Sequence, residues 1–114
     1  LLEQQAVKQQ MNLAIDWEHL HQISDGNEAF ERELLQIFWE DTQQHLDAAR
    51  TALESENAIS VSRSAHHVKG SSANVGLYEM QAIASMLEQQ ALNDDLSQAA
   101  TLISQLVEML DRLK

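Results

Sequence analysis

The chain has 114 residues, 18 acidic against 7 basic, a formal net charge of −11, and neither cysteine nor proline. The length suits one domain with a single core, and a composition 44% hydrophobic and 22% charged is globular rather than disordered. Such acidity argues against nucleic acid and direct membrane contact, which need clustered Lys and Arg, and the lack of cysteine excludes disulfides, zinc–thiolate sites and thiol catalysis.

Every segment reads as helix. Residues 1–15 are Gln-rich and weakly amphipathic, a lead-in helix or linker ahead of a domain spanning 16–114. Asp16 is a good N-cap for a short helix through Trp17, Leu20 and Ile23, and Ser24-Asp25-Gly26-Asn27 is a turn signal. A long helix is expected from about 28 to 55, with Phe30, Leu34, Ile37, Phe38, His45, Leu46, Ala49 and Leu53 as its apolar stripe. A second runs from about 58 to 74, with Val61, Ala65, Val68 and Ser72 inward, and Gly76 suits a left-handed C-terminal cap. A third covers 78 to about 92, with Met80, Ile83, Ala84 and Leu87 inward. Asn93-Asp94-Asp95 caps a fourth, which runs to 113 through Leu96, Ala99, Ile103, Leu106, Met109 and Leu113. The expected fold is all-α, an up-down-up-down four-helix bundle with a short N-terminal lead-in helix.

The second long helix carries the chemistry. Lys69 and Gly70 lie one turn above His66 and Arg63 one turn below it, all on one helix face. Between Thr51 and Asp111 the only basic residues besides histidine are Arg63 and Lys69, and both flank His66. A neutral imidazole is a good nucleophile near neutral pH. A phosphoryl group arriving on its ring would meet a lysine charge and a glycine that leaves room for its oxygens. His66 is thus a candidate phosphorylation site. The competing histidine, His67, lies about 100° around the helix without a cation on its own face. It reads as a solvent-facing residue, as do His19 and His21, while His45 reads as half-buried and structural.

Two other chemistries are weaker. Adjacent histidines cannot both face one bundle interior, so a di-iron-type centre is not expected and no metal ligands are assigned. Ser71 and Ser72 lack the glycine elbow and acid partner of a nucleophilic serine and read as packing residues. No glycine-rich phosphate loop or kinase signature occurs, so no autonomous ATP-dependent kinase activity is expected.

The run Ala65-His66-His67-Val68-Lys69-Gly70-Ser71-Ser72, followed by Gly76, resembles the signature of histidine-containing phosphotransfer (HPt) domains. The resemblance extends over about 16–114. It implies a phosphorelay intermediate that accepts a phosphoryl group on His66 Nε2 from a receiver-domain aspartate and passes it to another receiver aspartate. Lys69 is then the lysine near the phosphoryl group, Gly70 the glycine that lets the partner approach, and Gly76 the residue that ends the helix. Val68 stands where leucine is more usual. Glu88 falls where some members place a glutamine near the histidine ring, which leaves the ring-orienting partner of His66 open.

The implied partners are response-regulator receiver domains and a sensor histidine kinase, and the isolated domain is expected to be monomeric. No cofactor of its own is expected, since Mg²⁺ would come with the receiver. Arg63, Ala73, Leu35 and Trp39 are the candidate docking residues, although Leu35 and Trp39, one turn apart beside the core stripe, read first as core edge. The Gln-rich start without an initiator Met suggests the tail of a hybrid kinase, and the absence of a signal peptide or apolar span suggests the cytoplasm. The rival reading is a non-catalytic helical interaction or dimerisation module with a vestigial motif.

Overall fold

Asparagine and aspartate side chains start the first three helices among the described residues. In the computed structural model, which describes residues 16–113, these are α1 (Trp17–Ser24), α2 (Glu28–Glu54) and α3 (Ala58–Asn74), followed by α4 (Tyr78–Leu92) and α5 (Ala99–Asp111). The expected lead-in over residues 1–15 lies outside the described residues. Asp16, Asn27 and Asn57 each accept a hydrogen bond from the backbone N–H three residues on, satisfying one of the amides a helix start leaves unpaired.

Helices α2 to α5 form a ring in which each packs against its two neighbours, α2 with α3 and α5, and α4 with α3 and α5. This is the expected up-down-up-down bundle, and α1 packs on α2 at one end. The core is apolar: Leu46, Val61, Val68, Leu77, Met80, Leu87, Ile103, Leu106 and Leu110 are all essentially inaccessible. Burying each such side chain contributes about 1.5–3 kcal/mol. The inward residues expected on α3 and α4 are buried, with Ile83 partly so.

Three expectations change. Ile37 is 59% exposed, because adjacent helical residues are about 100° apart and Phe38 takes the inward position. Phe30 is also exposed: the first turn of α2 turns Glu31 toward α1, where it is buried, and Phe30 lies about 100° around the helix from it. Finally, α5 starts at Ala99 rather than beside Asp95. The Asp95 carboxylate accepts from both the N–H and the hydroxyl of Ser97, which holds a turn there, and Leu96 packs on the core from outside the helix.

The turn between α3 and α4 positions the end of the motif helix. Gly76 has φ +77°, and the N–H groups of Gly76 and Leu77 bond back to Ala73 and Ser72. The Gly76 carbonyl accepts from the Asp16 N–H at 2.9 Å. His19 Nε2 lies 3.2 Å from the Asn74 carbonyl, and the Tyr78 hydroxyl donates to Asp16. The start of α1 is therefore stapled to this turn, and His19 is a strut rather than a free surface histidine.

Candidate phosphotransfer site

His66 sits near the middle of α3, with its side chain 68% exposed. Its α3 neighbours Ala65 and Val68 are buried against the core, which fixes the helix rotation and turns the ring outward. Nδ1 of the ring lies 2.6 Å from Oε2 of Glu88, on α4. The second carboxylate oxygen, Oε1, accepts from Lys69 Nζ, also at 2.6 Å. Glu88 is thus the shared partner of the two residues singled out on α3, and it is only 8% exposed.

The electrostatics follow from that sharing. Burial alone would push the Glu88 carboxyl up. The hydrogen bonds and charges of Lys69 and His66 outweigh burial and hold it below the ordinary glutamate range. An ionised carboxylate only accepts hydrogen bonds, so Nδ1 carries the proton and donates it to Glu88. In the neutral ring, Nε2 then holds the lone pair and points away from the carboxylate. A nucleophilic nitrogen, oriented and exposed, is what this arrangement supplies.

Around the ring the other motif residues take distinct places. Gly70 is exposed, and a Cβ built on it would meet nothing within 4 Å, so the ground one turn above His66 is open. Arg63 is exposed one turn below. Lys69 is partly buried and tied to Glu88, so it does not stand free in solvent as a lone phosphate-facing charge. Ala73 is partly buried on the same helix. Gly76 is buried at the turn.

Leu35 and Trp39 are not brought to this face. Trp39 Nε1 donates to the Leu110 carbonyl, and both residues line a shallow groove with Arg32, Gln36 and Leu113 along the α2–α5 edge. Asp41, which meets α3, is about 200° around α2 from Trp39. The core-edge reading describes them better than docking beside His66.

His67 is only half exposed and has partners on α2: its Nε2 lies 3.0 Å from Asp41 Oδ2, and its ring stacks on His45. His21 is likewise engaged, bonding the buried carboxylate of Glu31, which also accepts from Ser24. Glu88 was visible in sequence only as an open question. It follows Met80 and Ala84 at four-residue steps on the buried stripe of α4, and a carboxylate on such a stripe demands a partner.

The Hpt domain family matches residues 33–114. The fold also matches that of histidine-containing phosphotransfer protein B (HptB) from Pseudomonas aeruginosa PAO1, with a TM-score of 0.81 and 26% identity over 88% of this chain and 87% of that one. No curated protein matches. An α-helical bundle presenting an oriented histidine, matched over most of its length by this family, belongs to the Hpt domains and is a phosphotransfer intermediate of two-component phosphorelays.

Proposed function

We propose that His66 is the phosphoacceptor of this relay and that Glu88 and Lys69 are its positioning groups. The observation that supports this reading is the pair of 2.6 Å contacts to one buried carboxylate, which leave Nε2 of an exposed ring free. In the forward step the Nε2 lone pair attacks the phosphorus of a receiver aspartyl phosphate. The N–P bond forms, the P–O bond to the aspartate breaks, and the aspartate leaves as a carboxylate carrying the bonding pair. The ring keeps its Nδ1 proton and gains positive charge as the bond forms, and the Glu88 carboxylate lies against that proton. Phosphoryl transfer has a loose transition state, so orientation and charge matching are the main contributions such a site makes.

Mg²⁺ and the acidic cluster that holds it belong to the receiver in this reading. Arg63 and the open ground at Gly70 form the contact surface, and receivers and a sensor kinase are the partners, the chain being a monomer between encounters. A cytoplasmic setting, as a domain of a hybrid kinase, fits the chemistry, since receivers act there. Among the described residues no helix is long and apolar enough to cross a membrane.

The test is incubation with a receiver loaded with phosphate on its aspartate. Wild type should acquire acid-labile, base-stable phosphate, His66→Gln should acquire none, and His67→Gln should keep most of it. Uptake that survives in His66→Gln and disappears in His67→Gln would reverse the assignment.

A further inference from the structure

On the flank of α3 opposite Glu88, the fold gathers a second set of titratable groups that the phosphoryl chemistry does not use. Asp41 and His45 are one turn apart on α2, so they share a face, and the antiparallel packing of α3 brings His67 against that face. His67 Nε2 lies 3.0 Å from Asp41 Oδ2, and His45 Nε2 lies 3.6 Å from Asp41 Oδ1. The two imidazoles stack with centroids 3.7 Å apart and planes 26° from parallel. One donor atom from each residue falls within a 4.8 Å cluster.

Hydrogen bonding accounts for only part of this. The His67 contact is a good hydrogen bond, but at 3.6 Å the His45 contact is too long to be one. An imidazole nitrogen is therefore brought up to a carboxylate oxygen without bonding it. A bridging ion fits the spacing better. With metal–ligand bonds of about 2.0–2.2 Å, two ligands at right-angled to tetrahedral positions stand about 2.8–3.6 Å apart. The two measured distances, 3.0 Å to Oδ2 and 3.6 Å to Oδ1 of Asp41, lie within that range, on the two oxygens of one carboxylate. Capture requires the rings to leave their stack until both Nε2 lone pairs point at one centre. The side chains of His45 and His67, 31% and 49% exposed, have the room for such a rotation.

We propose that Asp41, His45 and His67 form a site for one divalent first-row transition ion of the Zn²⁺ or Ni²⁺ kind, which clasps α2 to α3 beside His66. Two imidazoles and one carboxylate are the donor set such ions select, whereas Mg²⁺ and Ca²⁺ prefer an all-oxygen shell. The remaining coordination positions face solvent, and the net charge of −11 favours any cation at the surface. The clasp is independent of the phosphoacceptor assignment, because His66 turns its ring toward α4 and Glu88.

The experiment is a calorimetric titration of the intact chain with ZnCl₂, read beside nitrogen-15 NMR of the histidine rings. Wild type should bind one Zn²⁺ saturably, with the ring nitrogens of His45 and His67 shifting and those of His66 staying in place. His45→Ala and Asp41→Asn should each weaken binding at least about tenfold, and His66→Gln should bind as wild type does. Excess Mg²⁺ should not displace the zinc. Unsaturable binding, displacement by Mg²⁺, or ring shifts at His66 or His21 in place of His45 and His67 would each overturn the proposal. The wild-type ring shifts decide the matter even if a substituted chain fails to fold.

Discussion

Glu88 Oε2 and His66 Nδ1 stand 2.6 Å apart across the α3–α4 interface, joining a buried carboxylate to an exposed ring. That contact sets the tautomer of His66, so the nucleophilicity of Nε2 depends on a residue of the neighbouring helix. Glu88→Gln keeps an oxygen for the Nδ1 proton but loses the charge that matches the developing imidazolium. Charge-assisted hydrogen bonds contribute about 1.5–3 kcal/mol, so transfer to and from His66 should slow by roughly tenfold to a hundredfold. Rapid-quench transfer kinetics with a phosphorylated receiver measure this, and unchanged kinetics would remove Glu88 from the positioning role.

The same carboxylate makes stability depend on pH in a defined direction. Its folded-state value is depressed below the ordinary 4.5, against the opposing effect of burial, by Lys69 and His66. A depressed value means the stabilisation is fully present above about 4.5 and is lost as pH falls through the lower folded value. Melting temperatures of wild type and Glu88→Gln should therefore differ most near neutrality and converge as the pH falls below 4.5 and through the lower folded value. A difference that widened in acid would contradict the ion-pair account.

Lys69 now has two expected effects. A lysine in open solvent would contribute little to stability, but this one neutralises a carboxylate that is 8% exposed. Lys69→Ala leaves Glu88 with His66 alone, which costs about 1–3 kcal/mol and lowers the melting temperature by several degrees. Transfer should slow roughly tenfold or more as well. A melt identical to wild type would show that the ammonium serves the phosphoryl group only.

The two glycines of the motif should respond oppositely to alanine. At Gly70 a Cβ meets nothing within 4 Å, so Gly70→Ala should stabilise the helix by about 0.5–1 kcal/mol. Gly70→Gln, which projects over the ground beside His66, should slow transfer. At Gly76, φ is +77° and a Cβ would stand 2.9 Å from Asp16 Cβ and 3.0 Å from its carbonyl oxygen. Gly76→Ala should therefore destabilise by more than about 1 kcal/mol and loosen α1. Thermal melts of the variants, with one transfer assay for Gly70→Gln, test the contrast.

The helices and the motif face were legible in the chain because both are local properties. Apolar residues at three- and four-residue steps, turn signals and a left-handed glycine act within a turn or two, so α3 begins and ends at the expected residues, Ala58 and Asn74. The clustering of Arg63, Lys69 and Gly70 about His66 is likewise a matter of spacing along one helix. Local rules err where a helix meets the limits of the bundle. Phe30 has a core-type position in the pattern, but α1 covers the first turn of α2 on the side of Glu31, and Phe30, about 100° around the helix, is left exposed. What Glu88 does, and what Asp41, His45 and His67 can do together, was decided by tertiary packing. Residues 22 and 26 positions apart meet only when antiparallel helices settle into one register, and that register is set by how the buried side chains of all four helices interlock.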